Sequence, residues 1–122
     1  MTLHASGWVL LVGLLLLRPP PIHAHAFLDR AEPRVGSSVE APPSLQLHFT
    51  EPIEPAFCRL EVMDPAGKRV DTSAAEHPAA DALRVTLPPL APGEYTVHWA
   101  VVSVDTHPTE GRFTFSVKKP RP

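Results

Sequence analysis

The chain has 122 residues, a formal net charge of −2 at neutral pH, 16 prolines and a single cysteine. This length predicts one domain, and the slightly acidic charge argues against nucleic acid or an anionic membrane surface as a partner. The lone Cys58 excludes an internal disulfide and is expected to act as a small buried hydrophobic residue.

Residues 7–17 form an uninterrupted apolar run that is followed by three prolines. The run is shorter than the roughly 18–20 residues that a membrane span needs, and its length is typical of the core of a secretory signal peptide. We therefore predict a signal peptide over residues 1–24, export by the general secretory route, and a mature protein that does not span the membrane. An uncleaved anchor is the alternative.

Two cleavage sites compete at the end of this segment. Cleavage after Ala24 makes His25 the first residue of the mature chain, whereas cleavage after Ala26 fits the small-x-small pattern better and removes that histidine. With the first site, the mature domain covers residues 25–119 and a short tail covers 120–122. The choice decides whether a free amino-terminal histidine exists.

Apolar and polar residues alternate with a period of two in several short runs that prolines and glycines separate. This period predicts half-buried strands. The runs are Leu45–Phe49, Cys58–Val62, Leu83–Leu87, Tyr95–Val101 and Phe113–Val117, and a first strand is expected over Ala26–Ala31. No run has a helical period, so the pattern predicts an all-β sandwich.

Local signals fill in the connections. Asp64–Gly67 has Pro second and Gly fourth, which predicts a turn, and residues 74–82, with His77, read as a solvated loop. Tyr95 is placed to bond back to nearby backbone at a strand corner, which makes Trp99 a core residue. The parity of their strands predicts that His48 and His98 point outward, and Glu110 is expected to be a surface charge.

The segment Ser103–Gly111 joins the last two predicted strands and carries Asp105 and His107. In extended chain, residues two apart point the same way, so this spacing predicts that the carboxylate and the imidazole face one point. Pro108 fixes the backbone after the histidine, and Gly111 is expected to free the return turn.

An amino-terminal His25 would chelate a cation through both its α-amine and its ring. With His107 and Asp105 it offers three nitrogens and one oxygen, a set that favours Cu(II) over tetrahedral zinc or oxygen-loving calcium. Cu(I) prefers sulfur, and the mature chain has only Met63 and Cys58 to offer. The sequence therefore predicts one mononuclear Cu(II) site.

These residues carry a resemblance to the periplasmic copper-resistance protein C family, the CopC-like proteins. It extends over essentially the whole mature chain, and its most specific part is the Asp-x-His-Pro-x-x-Gly segment in register with the amino-terminal histidine. The matching stretches are His25–Leu28, Leu47–Glu51 and Tyr95–Val117.

The resemblance implies a seven-stranded Greek-key sandwich, of the immunoglobulin-like or cupredoxin-like kind, with Cu(II) on His25, Asp105 and His107. It also implies that Glu51 supports the site by a hydrogen bond to a ligand, and that an inner-membrane copper transporter is a partner. The chain lacks the Met-rich loop of two-site members, so their relay between copper oxidation states is not expected here. We expect a monomer.

Two other functions are open on the sequence. A copper monooxygenase also uses an amino-terminal histidine plus a second histidine, but the added carboxylate would fill the position that dioxygen needs, the domain is small, and its few aromatic residues have mostly core-facing parity. An adhesion-type sandwich without metal is the weaker alternative. We therefore predict a non-enzymatic copper carrier or sequestering protein.

Overall fold

A computed structural model describes residues 25–122; the predicted signal peptide lies outside these residues. The described chain is all-β, as predicted, with one 3-10 turn at Pro55–Phe57. The strands are β1 (Leu28–Glu32), β2 (Ser38–Val39), β3 (Ser44–Phe49), β4 (Arg59–Met63), β5 (Glu76–Ala79), β6 (Ala82–Thr86), β7 (Gly93–Val102) and β8 (Pro108–Val117). Within residues 25–122, no helix is long and apolar enough to cross a membrane.

Two four-stranded sheets form the sandwich, in the orders β1-β3-β6-β5 and β2-β8-β7-β4. All pairs are antiparallel except β2 with β8. Only the β5–β6 and β7–β8 connections of the described residues stay within one sheet, and the other five cross between the sheets of the sandwich. The start of β1 pairs with the end of β3, and Thr109 at the start of β8 contacts Ala26, so the β7–β8 turn lies at the same end of the molecule.

The predicted alternation is confirmed by the burial of the strands. Leu45, Leu47 and Phe49 of β3 are buried between half-buried neighbours, and Val97 and Trp99 of β7 follow the same rule. Because both sheets turn their apolar parity inward, one continuous core fills the space between them.

The strand corner at Tyr95 is also confirmed. Its hydroxyl donates a hydrogen bond of 2.6 Å to the carbonyl oxygen of Ala91, and its ring stacks on Phe115. Burial raises the pKa of Tyr95 above its ordinary value. Trp99 is a core residue, packed edge-to-face on Phe49 with ring centroids 5.3 Å apart.

Four local predictions need correction. The first strand is Leu28–Glu32 rather than Ala26–Ala31. Residues 74–82 contain β5, whose residues are all exposed and so show no alternation. With β5 and the two-residue β2, the described chain has eight strands rather than seven.

The fourth correction concerns Gly111, which lies inside β8 opposite Trp99 and not in a turn. A Cβ atom on Gly111 would lie 2.5 Å from Cζ2 of Trp99. The glycine is therefore needed because the indole ring occupies the space where a side chain would stand.

Candidate metal centre

His25 and His107 meet at the end of the sandwich where β1 and β8 begin. Their ring centroids are 4.8 Å apart and the ring planes are inclined at 83°. Both residues are half-buried. The Nδ1 atom of His25 is screened from solvent and makes no hydrogen bond within residues 25–122. A buried polar atom without a partner is costly in a site with no ligand, so this nitrogen is a candidate to bind one.

Asp105 has a different environment from the one that the sequence predicted. Residues 104 and 105 form a turn, and Thr106 has a φ of 68°, so the chain between Asp105 and His107 is not extended. The argument that residues two apart point the same way therefore does not apply here. Asp105 is exposed.

The structure thus brings two of the three predicted ligands together. No group of three His, Cys, Asp or Glu side chains in the described part of the chain is close enough to hold a metal ion. Two imidazoles and a carboxylate are the kind of nitrogen and oxygen donors that suit Cu(II) chemically, but the structure shows only the two imidazoles together. The three-ligand site remains a prediction.

Glu51, the predicted supporting residue, lies in the β3–β4 connection and is half-buried. The neighbouring Thr50 reaches the backbone of His25, so Glu51 belongs to the same end of the sandwich. A hydrogen bond from Glu51 to a ligand stays a prediction.

Two threonines that the sequence interpretation passed over contact the arm that carries His25. The Thr50 hydroxyl accepts a hydrogen bond from the Phe27 amide at 3.0 Å and donates one to the His25 carbonyl oxygen at 3.3 Å. The Thr109 hydroxyl donates to the carbonyl oxygen of Ala26 at 2.6 Å. Thr109 shares the inward parity of Phe113, which was the only sequence signal for its role.

The other histidines stand apart from this pair. His48 lies on the outward parity of β3, with Nε2 2.9 Å from Nε2 of Gln46. His98 is half-covered on the outer face of the second sheet, with Nδ1 4.0 Å from Glu61 and Nε2 3.7 Å from Glu110. The Glu110 side chain is 75% exposed, which confirms the predicted surface charge.

His77 is exposed, as predicted, but belongs to β5, where its Nε2 lies 3.3 Å from the carbonyl oxygen of Ala80.

Cys58 is half-buried, and its thiol donates a hydrogen bond of 3.1 Å to the carbonyl oxygen of Glu54. Burial raises the pKa of this thiol, which disfavours the thiolate that a soft metal ion would need. The geometry therefore matches a packing role for the cysteine.

Sequence comparison places these features in a family. A family model described as the CopC domain matches residues 28–118, which is most of the chain. The chain belongs to the CopC family. The match contains every strand of residues 25–122 but begins three residues after His25.

Individual relatives agree with this assignment. The chain is 35% identical over 121 residues to protein YobA of Escherichia coli K12, covering 96% of this chain and 98% of the relative. The crystal structure of CopC from Methylosinus trichosporium OB3b has a TM-score of 0.72 and 35% identity, covering 77% of this chain and 94% of that one. PcoC from Escherichia coli, described as a methionine-rich copper resistance protein, has a TM-score of 0.71 and 32% identity, with 78% and 100% covered.

Within the CopC family, this chain differs in one visible way from the methionine-rich PcoC. It has two methionines in all, Met1 and Met63, and Met63 is a half-buried residue at the end of β4. Any copper chemistry of this chain must therefore use donors other than a cluster of thioethers.

Proposed function

We propose that the mature chain is a periplasmic Cu(II)-binding protein that acts in copper sequestration, transport or resistance, and that it is not an enzyme. The observation that carries the proposal is the contact between the His25 and His107 rings, at 4.8 Å between centroids, in a chain of the CopC family. Copper is the cargo, held as a single ion.

The proposed ligands are the α-amine and imidazole of His25, the imidazole of His107 and the carboxylate of Asp105. Asp105 makes no side-chain hydrogen bond within the described residues, so turning its carboxylate toward a metal costs no existing bond. An all-nitrogen-and-oxygen set favours Cu(II) over Cu(I). Reduction of the loaded protein beside a Cu(I) chelator should therefore release the metal.

The packing of Ala26 supports cleavage after Ala24. Its side chain is fully buried in the core, and its carbonyl oxygen accepts the Thr109 hydrogen bond. Cleavage after Ala26 would remove this residue together with His25. Cleavage after Ala24 keeps the packed alanine and frees the His25 amine, which the proposed chelate requires.

The monooxygenase alternative finds less support. Phe27 is exposed and lies edge-on to His25 with centroids 6.0 Å apart, and one such ring does not make a flat aromatic face for an extended substrate. An inner-membrane copper transporter remains the partner that family membership favours.

The test is a Cu(II) titration of the secreted mature protein, its first residue defined by intact mass. We expect one tight site, and we expect both His107→Ala and a version with one glycine added before His25 to lose it. Because loss of a supporting residue alone typically costs about 10–100-fold in metal affinity, loss of a ligand should exceed about 100-fold.

His77→Ala is the matched control, since His77 is an exposed histidine on β5, and it should bind as the native protein does. Circular dichroism checks that each variant is folded. If the glycine-extended protein binds Cu(II) as tightly as the native one, the proposed coordination is wrong.

A further inference from the structure

We propose that Thr50 and Thr109 are positioning residues for copper: their hydroxyls hold the arm His25–Phe27 so that the His25 ring stays beside His107 before any metal binds. This inference rests on the proposed function and adds to it the residues that prearrange the site. Neither threonine is assigned as a ligand.

The arm needs anchors because it lies outside regular structure. β1 begins only at Leu28, so the three residues before it lack a strand ladder. Thr50 supplies a backbone anchor for the arm, since its N–H donates to the Phe27 carbonyl oxygen at 2.8 Å. The same residue's hydroxyl accepts from the Phe27 amide and donates to the His25 carbonyl oxygen. One threonine thus contacts both ends of the arm.

Thr109 holds the middle of the arm from the opposite sheet. Its hydroxyl donates to the Ala26 carbonyl oxygen at 2.6 Å, across 83 residues of sequence. Thr109 is two residues after His107 in the chain. The segment that positions one imidazole therefore also fixes the backbone next to the other, which ties the two rings together.

Ala26 completes the arrangement. Its methyl group is fully buried among the core residues, so the arm is pinned by packing on one side and by two hydroxyls on the other. A ligand that is already ordered loses less conformational freedom on binding, and a binding group is held best when the residues around it are themselves fixed.

The same hydrogen bonds could serve only the stability of the fold. The test must therefore measure the order of the arm separately from the stability of the sandwich. The variants are Thr50→Val and Thr109→Val, which keep the shape of the side chain and remove the hydroxyl. Thr50→Ser and Thr109→Ser keep the hydroxyl. Thr114→Val is the matched control, since Thr114 lies on the outward parity of β8.

The first measurement is on the metal-free protein. Backbone nitrogen relaxation and amide hydrogen exchange at Ala26 and Phe27 should show a more mobile arm in both valine variants, with native behaviour in the serine variants and in Thr114→Val. Amides in the centres of β3 and β7 should exchange as in the native protein, which shows that the sandwich itself is intact.

The second measurement is Cu(II) affinity. We expect each valine variant to bind about 10–100-fold more weakly, in the range typical of residues that orient metal ligands, and each serine variant to bind within about twofold of native. Because Thr50 is exposed, its substitution should leave the core intact. The Thr50 variants therefore suffice for the test if Thr109→Val fails to fold.

Suppose that the native protein binds Cu(II) and the His107→Ala protein does not. Unchanged Cu(II) affinity in Thr50→Val would then overturn the positioning role but leave the proposed function standing. The same holds if a serine variant binds as weakly as its valine counterpart. A native protein that fails to bind Cu(II) would overturn the proposed function, and the positioning role with it.

Discussion

Two tight turns of this molecule, Asp64–Lys68 and Ser103–His107, share one backbone design. In each, the first residue's N–H donates to the fifth residue's carbonyl oxygen, at 2.8 and 3.1 Å, and the fourth residue's N–H donates to the first residue's carbonyl oxygen, at 2.9 and 2.8 Å. The fourth residue is left-handed in both, with φ of 79° at Gly67 and 68° at Thr106. This is the three-residue hairpin loop, a type I turn followed by a left-handed residue.

The first turn uses its carboxylate to hold itself together. The Oδ1 atom of Asp64 accepts hydrogen bonds from the amides of Ala66 and Lys68, at 2.9 and 2.8 Å. Its left-handed position is a glycine, which adopts that conformation at no steric cost. Every feature of this turn favours the fold.

The second turn has a longer side-chain hydrogen bond, and its carboxylate makes no hydrogen bond to the turn backbone. The Ser103 hydroxyl accepts from the His107 amide at 3.3 Å, and the carboxylate belongs to Asp105, at the third position and exposed. The left-handed residue is the β-branched Thr106, an uncommon choice. The comparison teaches that in these two turns the acidic residue at the first position holds the backbone, whereas the one at the third position is exposed and holds none of it.

Asp64→Ala should have the largest effect on stability. It removes two hydrogen bonds to a charged acceptor, each worth about 1.5–3 kcal/mol when well shielded. Because Asp64 is half-exposed, we expect the free energy of unfolding to fall by about 2 kcal/mol in total. Urea denaturation measures this, and Cu(II) affinity should not change.

The matched control is Asp29→Ala, which removes an exposed carboxylate from β1. A loss at Asp64 no larger than the loss at Asp29 would mean that the carboxylate does not hold the turn.

Exchanging the left-handed residues should have smaller effects of opposite sign. A left-handed residue other than glycine costs roughly 1–2 kcal/mol, so Gly67→Ala should lower the free energy of unfolding by about 1 kcal/mol. Apart from its two chain neighbours, no residue has an atom within 4 Å of a Cβ added there, so the cost is conformational. Thr106→Gly should raise it by about 0.5 kcal/mol, since glycine's freedom in the unfolded chain offsets part of the relief.

Thermal and urea unfolding of the two variants, measured together, check this pair. A destabilised Thr106→Gly protein would show that the threonine side chain contributes more to the turn than its conformation costs.

Asp105→Ala should have the smallest effect on stability and a clear effect on copper. The exposed carboxylate supports no part of the turn, so the free energy of unfolding should stay within about 0.5 kcal/mol of native. Cu(II) affinity should fall, because one oxygen ligand and its negative charge are lost. Asp105→Asn, which keeps an oxygen but not the charge, should fall in between. Native Cu(II) affinity in Asp105→Ala would remove this residue from the proposed site.

The alternation of apolar residues was enough to predict the sandwich, because β3, most of β7 and the second half of β8 bury every second side chain. β5 was missed for the same physical reason: all four of its residues are exposed, so its pairing with β6 leaves no trace in hydropathy. Short edge strands that bury nothing are not visible to a hydrophobic pattern.

The site was predictable in part. His25 was identified from the chelating chemistry of an amino-terminal histidine, and His107 from the Asp-x-His-Pro-x-x-Gly segment that resembles the CopC family. The structure brings their two rings together. The shape of the turn was missed because its left-handed position holds Thr106, where a glycine would have signalled it. The contact of Thr109 with Ala26 spans 83 residues, and no local pattern encodes such a distance.

The packing of Trp99 against Gly111 gives the domain a built-in optical reporter. Trp99 of β7 is the one tryptophan of residues 25–122. Its indole packs on Gly111 of β8, which is two residues along the strand from Thr109. We expect a paramagnetic Cu(II) ion at the proposed site to quench the emission of this ring, because Thr109 contacts the arm that carries His25. The fluorescence of the unlabelled protein would then report whether copper binds there.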